Sequence, residues 1–343
     1  MFRSKKVDIT GGPIVKSIII YAIPLIVGSL IQMMFNAADV MIVGNMSRPE
    51  DNAVASIGAT TTVINLLVTS FLGLSVGVTS TLARALGQRN DEKVRRIVST
   101  AVIFALSLGV VLMAVFILTS KSLLRMLNCP EECFDGAARY FNIYAIGIPA
   151  ITVYNFASGI IRTQGDTKSP FYYLAISGVS NVALNVILCL LLRDKVSAVA
   201  IATTVSQFTS CILAVIHLLR LKGVCRINLR RLTFSPGELW EIVKIGAPCA
   251  LNSALFSLSN LQIQAELNTY GSDALAGNTA SINLASFIQS IASGFNGAVV
   301  PFVGQNLGAG NERRVKQSVG YCLLFSVAAS FLLGSVIYTF GLE

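Results

Sequence analysis

Asp39 stands inside the run "QMMFNAADVMIVG" (Gln32–Gly44), a stretch otherwise apolar or uncharged. An ionised carboxylate at the centre of a membrane helix costs about 2.5–3.5 kcal/mol on insertion scales, so an acid in such a run is a functional candidate by default. Gln32, Asn36 and Asp39 recur at i, i+4 and i+7, and Gly28 lies one turn earlier on the same stripe. A helix puts these residues on one face and turns Ile31, Met34 and Val40 elsewhere. A carboxylate with amides beside it suits the binding of a proton or a small cation. Glu266 is the other acid inside an apolar run, just before "LNTYGSD", where snorkelling to an interface explains it as readily as function does.

Three further polar stripes follow. Ser177, Asn181 and Asn185 are spaced by four and lead to Cys189; Thr203, Gln207 and Ser210 form a second stripe, and Ser253, Ser257, Asn260 and Gln264 a third. Such residues often serve only as interhelical hydrogen bonds worth about 1 kcal/mol each. Four stripes with one acid, however, outline a polar cavity. Its expected lining is Gln32, Asn181, Gln207, Asn260 and Gln264.

The elements that must hold this cavity are membrane helices. The chain is 54% hydrophobic and 13% charged, about half the charge of an ordinary globular domain. Apolar runs near 18–43, 55–83, 97–119, 138–161, 171–192, 196–219, 242–265, 274–304 and 317–340 each reach the roughly 20 residues that cross a bilayer as helix. An all-α polytopic membrane protein with nine spans is expected. The basic start, "MFRSKKVDITGGP", precedes an apolar run too long for a signal peptide and reads as the lead-in to a retained first span.

If the N-terminus is cytoplasmic, 20 of the 26 Lys and Arg fall on the inside, and Arg48, Lys121, Arg125, Arg139, Arg193 and Lys195 fall outside. The positive-inside rule then predicts an N-in, multi-pass protein of the cell membrane, and the net charge of +9 needs no nucleic acid to explain it. No GxxxxGK[ST] phosphate loop occurs, and the single histidine, His217, has no Cys or carboxylate cluster around it in sequence. Cys129 and Cys133, at i,i+4 with no second pair, are weak evidence for a disulfide or a metal. The chain does not read as an enzyme, and neither a cofactor nor a metal is expected. What remains is a solute pathway driven by an ion gradient.

The chain also repeats itself. An offset of 221 residues places Ala53 on Ala274, Gly73 on Gly294, Leu86 on Leu307, Gly87 on Gly308, Asn90 on Asn311 and Val94 on Val315. Upstream, Pro24 meets Pro248 at 224, a three-residue change absorbed in an outer loop. Spans 1–3 thus correspond to spans 7–9. An even number of spans separates the copies, so they run parallel about an axis along the membrane normal. The expected organisation is a six-helix lobe (1–219), a cytoplasmic linker (220–241) and a three-helix partial lobe (242–343). A full second lobe would hold spans 7–12, so the chain reads either as a fragment or as a shortened form.

The motifs "AIPLIVGSLIQMMFNAADVMIVG", "ALGQRNDEKV", "IIRTQGDTKSPFYY", "LNVIL", "AIATTVSQ" and "LGAGNERRV" resemble the multidrug and toxic compound extrusion family, in its DinF-like branch. The resemblance implies a twelve-helix fold of two lobes, and an exporter that exchanges cytosolic, often cationic amphipathic compounds for incoming sodium or protons. It implies that Asp39 binds the coupling cation with Asn36, Asn185 and Thr203, and that Pro24 marks a helix kink tied to that binding. Where the family pattern has a second aspartate this chain has Cys189, which weakens the case for sodium and favours a proton on Asp39, or lost coupling.

The expected partners are a small, cationic amphipathic substrate and the lipid bilayer, with the protein a monomer. Two other readings stay open: a lipid-linked oligosaccharide flippase of the same superfamily, which would need basic residues in its cavity, and a truncated membrane protein that does not transport.

Overall fold

The computed structural model describes residues 6–46, 53–126, 129–228, 230, 232–267 and 272–340. These fold into ten helices: α1 (Ile14–Met46), α2 (Ala53–Gly87), α3 (Asp91–Met126), α4 (Glu131–Ile146), α5 (Ile148–Thr163), α6 (Lys168–Leu191), α7 (Lys195–Arg220), α8 (Pro236–Leu267), α9 (Ser272–Gly308) and α10 (Glu312–Phe340). Eight are long and apolar enough to cross a membrane singly, and α4 with α5 makes a ninth span bent by 45°. With the bent pair counted as one broken span, the nine expected spans are present among the described residues. The break falls at Gly147: Pro149 at the start of α5 has no N–H to return to the preceding turn.

The helices overrun the apolar stretches at most of their ends, because capping and charge extend them beyond any hydropathy window. Asn90 Oδ1 accepts the Lys93 amide (3.0 Å), and its repeat counterpart Asn311 does the same for Arg314 (3.1 Å). Acids follow in both first turns, Asp91 and Glu92 in α3 and Glu312 in α10, where they complement the helix dipole. The same effect places the start of α8 at Pro236, inside the segment 220–241. A proline at the first helical position and Glu238 in the first turn make a good N-terminus, and the charges there mask it from a hydropathy reading.

The two copies pack about a pseudo-two-fold axis. A Cβ on Gly87 would strike the Gln305 carbonyl, and one on Gly308 would strike the Arg84 carbonyl; these are the same contact seen from each copy. Likewise Gly73 lies against the Ala250 backbone, and its counterpart Gly294 against Ile26. Small residues let membrane helices approach closely, where packing supplies the attraction that hydrophobicity cannot.

Polar contacts reinforce the end of the bundle that carries the N-terminal segment, here called the basic face. Lys93 pairs with Glu241 (2.8 Å), and Arg96 pairs with Glu238 (3.2 Å), joining α3 to α8. Arg314 donates to the carbonyls of Gly11 (3.0 Å) and Gly12 (3.0 Å), and Asn306 to that of Ile9 (3.2 Å). Val7 N–H bonds the Gly165 carbonyl (2.9 Å), so residues 7–12 strap α10 to the α5–α6 turn.

Each copy has a left-handed residue at the same repeat position, Arg89 (φ 55) and Gly310 (φ 72). A side chain there costs about 1–2 kcal/mol, and nothing crowds a Cβ at Gly310, so strain alone acts. Gly310→Ala should lower the thermal midpoint in detergent by an amount equivalent to about 1 kcal/mol. Arg89→Gly should leave it unchanged or raise it, and equal losses in both variants would refute the strain argument.

Candidate functional site

The polar stripes of α1, α6 and α7 converge. Between them, with α2, α4 and α5, lies a cavity of about 520 Å³ lined by residues that include Pro24, Gly28, Gln32, Asn36, Asp39, Asn181, Thr203, Ser206, Gln207 and Ser210. Glycines allow the helices this arrangement. A Cβ on Gly178 would collide with the Phe35 ring, and one on Gly147 would collide with Gln207 Oε1. Gly178 therefore seats α1 on α6, and Gly147, at the break of the fourth span, admits the glutamine side chain.

Among the described residues that line the cavity, Asp39 is the only carboxylate. Asn185, fully buried on α6, donates its amide nitrogen to Oδ1 at 2.5 Å. The Asn181 amide, with its nitrogen toward Asp39, reaches Oδ1 at 2.7 Å and Oδ2 at 3.2 Å. Asn181 also lies 3.4 Å from Thr203 Oγ1, and Asn185 Oδ1 is buried with no hydrogen-bond partner among the described residues. A carboxylate, a spare amide oxygen and a hydroxyl thus meet at one end of the cavity. Such a set accepts a proton on Asp39 directly, whereas a metal cation would require oxygens in place of the amide nitrogens now turned toward it.

The expected residues do not all behave alike. Asn36 and Gln32 line the cavity on α1 but are exposed, and the partners of Asp39 come from α6 instead. Asn181, grouped with the substrate by its stripe, sits against the carboxylate. Asn260 is exposed on α8 and is not among the lining residues, because the cavity forms inside the first six spans while α8 packs on α2 from outside. In the same stripe Ser253 and Ser257 bond back to their own helix, and Ser257 also meets Thr69 Oγ1 at 3.3 Å. The side chain of Gln264 lies outside the described residues. Cys189 is buried in an apolar cluster with Val43, Tyr140 and Val199, outside the cavity lining, and Glu266 is exposed near the end of α8.

Other lining residues carried no sequence signal of their own: Tyr140, Tyr144, Tyr154, Asn155, Ser158 and Arg162. Tyr140 and Tyr144 stack with centroids 6.3 Å apart. The break at Gly147 was the one available clue, since a bent span inside a bundle marks a place where backbone and side chains serve a cavity.

The MatE family model matches residues 24–187 and 248–342. The chain belongs to the MatE family. The two matched segments begin at Pro24 and Pro248, the equivalent prolines of the repeat, so the MatE family match reflects the same duplication. Similar proteins include the "Probable multidrug resistance protein YoeA" of Bacillus subtilis, 27% identical over 333 residues, which cover 95% of this chain and 72% of that protein. "Multidrug export protein MepA" of Staphylococcus aureus is 22% identical, with 94% and 72% covered. Among solved structures, a MOP superfamily transporter from Pyrococcus furiosus superposes with TM-score 0.90 at 23% identity, over 99% of this chain and 75% of that one. A MATE family transporter in an outward-facing conformation gives 0.87 at 23%, over 98% and 76%. The fold of this MatE chain is thus that of the known transporters across almost its whole length.

Removing the Asn185 amide leaves the Asp39 carboxylate short of a donor. Asn185→Ala should lower stability by about 1.5–3 kcal/mol, measured by thermal unfolding in detergent. Asp39→Ala combined with Asn185→Ala should lose less than the sum of the two single changes; strict additivity would show that the two side chains do not interact.

Proposed function

We propose that this protein is a secondary-active multidrug exporter of the cell membrane, with a cytoplasmic N-terminus, which takes cationic amphipathic compounds from the cytosol in exchange for protons. The observation that carries the reading is Asp39, the single carboxylate of a polar cavity, held by Asn185 and Asn181. In this reading Asp39 takes up a proton with Asn185, Asn181 and Thr203 around it, and Gln32, Asn36 and Gln207 meet the cargo. Tyr140, Tyr144 and Tyr154 supply ring faces that suit a cationic amphiphile. Among the described residues no second carboxylate lines the site, and this favours a proton over sodium. The names of the relatives, multidrug resistance and export proteins, support the export of drug-like cargo.

Alternating access follows from the repeat. The close packing at the basic face suits a state closed toward the cytoplasm, and rocking of the two copies about their shared axis would open that face. Pro24, in α1 at the cavity wall, breaks one helical hydrogen bond and gives α1 a place to bend. Protonation of Asp39 weakens its claim on the Asn185 amide and so couples the charge to the helix position.

Everted membrane vesicles test this reading. With an imposed pH gradient they should accumulate ethidium, and replacing sodium by choline should leave the rate unchanged. Asp39→Asn should cut that rate at least about tenfold while the protein still inserts and folds, as expected when a needed charge-assisted contact is lost. Full pH-driven transport by Asp39→Asn would overturn the mechanism.

A further inference from the structure

The cavity carries a second charge, and it is positive. Arg162, in the last turn of α5, lines the same cavity as Asp39. Its carbonyl accepts a hydrogen bond from Tyr21 OH at 2.9 Å, which fixes its level at the basic-face end. Between Tyr21 and Asp39 α1 rises about 27 Å at 1.5 Å per residue, so acid and base occupy opposite ends of one elongated space. Basic residues in such a space bear on the choice of cargo, and in sequence Arg162 had counted only as a loop cation just past the fourth apolar run.

Three observations say that this guanidinium is not committed to the protein. First, its one hydrogen bond among the described residues runs from Nε to the carbonyl of Ser158, at 3.2 Å, one turn back. Second, it forms no ion pair among the described residues. Asp166, the nearest acid in sequence, is engaged elsewhere: Oδ1 accepts from Ser169 N (3.0 Å) and Oδ2 from Ser169 Oγ (2.6 Å). Third, Ser158 is 3% exposed, lines the cavity beside Arg162, and its Oγ completes no hydrogen bond among the described residues, the neighbouring Tyr154 hydroxyl being given to the Pro170 carbonyl (3.1 Å). A buried hydroxyl without a partner is rare in a native fold and calls for a reason. Thr167 lines the same end, and its side chain makes no capping bond although it precedes α6.

A guanidinium with two free N–H₂ groups, an idle hydroxyl within one helical turn and a second hydroxyl across the turn form a donor-rich cradle. Donors of this kind fit a planar oxyanion, which arginine engages through paired hydrogen bonds. We propose that Arg162, Ser158 and Thr167 form an oxyanion subsite at the basic-face end of the cavity. The subsite holds the carboxylate of a zwitterionic amphiphile whose cationic ring system lies farther along the cavity. This inference rests on the cavity being the cargo cavity. The carboxylate belongs to the cargo in this account, and a phospholipid headgroup, which carries similar oxygens, is the competing source.

Rhodamine 110, which has a free carboxylate, and rhodamine 123, its methyl ester, share one cationic ring system and separate these cases. Fluorescence polarisation with the purified full chain in detergent reads binding without any transport step. Arg162→Ala should weaken rhodamine 110 at least about tenfold and rhodamine 123 less than about twofold, the ester having no charge for the guanidinium to hold. Arg162→Lys should recover part of the loss, and Ser158→Ala, a milder change, should weaken rhodamine 110 alone. Parallel loss of both dyes would assign Arg162 a structural role and overturn the subsite, as would no change in either. Loss of the carboxylate preference on adding phosphatidylglycerol, but not on adding inorganic phosphate, would assign the oxyanion to a lipid and overturn the cargo reading. Binding of neither dye by the unaltered protein would sink the cavity reading itself, a result distinct from ester-insensitive binding, which removes only the Arg162 assignment.

Discussion

The close approach of α2 to α8 and α9 supports everything else in this molecule. In a bilayer there is no hydrophobic drive to bring two apolar helices together, so contact depends on how near their backbones can come. Gly73 and Gly77 on α2 lie against Ala250 and Gly246 on α8, and Gly87 and Gly308 meet across the pseudo-two-fold axis. The repeat makes each such contact occur twice, but not identically. Where α2 and α8 oppose Gly77 to Gly246, α1 and α9 have Ala22 and Ala298, both fully buried. The α1–α9 seam therefore carries two methyl groups that the α2–α8 seam lacks, and α2 with α8 forms the most extensive helix pair among the described residues. The asymmetry of the two seams is thus written in four small residues.

Around that seam the polar contacts divide into two kinds. Those at the basic face are largely paired: Glu238 and Glu241 with Lys93 and Arg96, and Arg314 with the carbonyls of residues 9, 11 and 12, although Glu238 Oε2 is buried without a hydrogen bond. Those in the cavity are left incomplete. Asn185 Oδ1, Gln207 Oε1 and Ser158 Oγ are buried without partners, and each belongs to or adjoins the wall of one space. Unpaired buried polar groups cost about 1–3 kcal/mol apiece, a cost that a structural network would have avoided by pairing them. Three of the six such atoms among the described residues lie in or beside this one space, which carries a carboxylate toward one end and a guanidinium toward the other.

The number of spans, the duplication and the stripe of Asp39 were all legible in the sequence. Each depends on local spacing or on composition, and both survive folding. Asn260 was not, although its stripe looked like that of Asn181: two helices with similar periodicity face different neighbours, and periodicity does not name the neighbour. Cys189 went the same way, into an apolar cluster rather than the site, because one turn beyond Asn185 α6 has left the cavity. The lead-in residues 7–12 looked like a basic tail, yet the structure straps them to Arg314 and Gly165, through bonds between residues some 150 to 300 positions apart. Arg162 seemed to lie beyond its span, since a hydropathy window ends at the first charge whereas the helix, and the cavity beside it, continue.

By itself, then, the sequence determined that this is a helical membrane protein of two parallel copies, with one carboxylate placed where a carboxylate is costly. The physical reason is that helix length, apolar content and repeat offset are properties of the chain read in order. Only the tertiary structure decided which amides surround Asp39, that α6 rather than α1 supplies them, and that Arg162 shares the space. Those facts depend on how close the glycines let each pair of helices come, and on the bend at Gly147, neither of which any single stretch of residues contains.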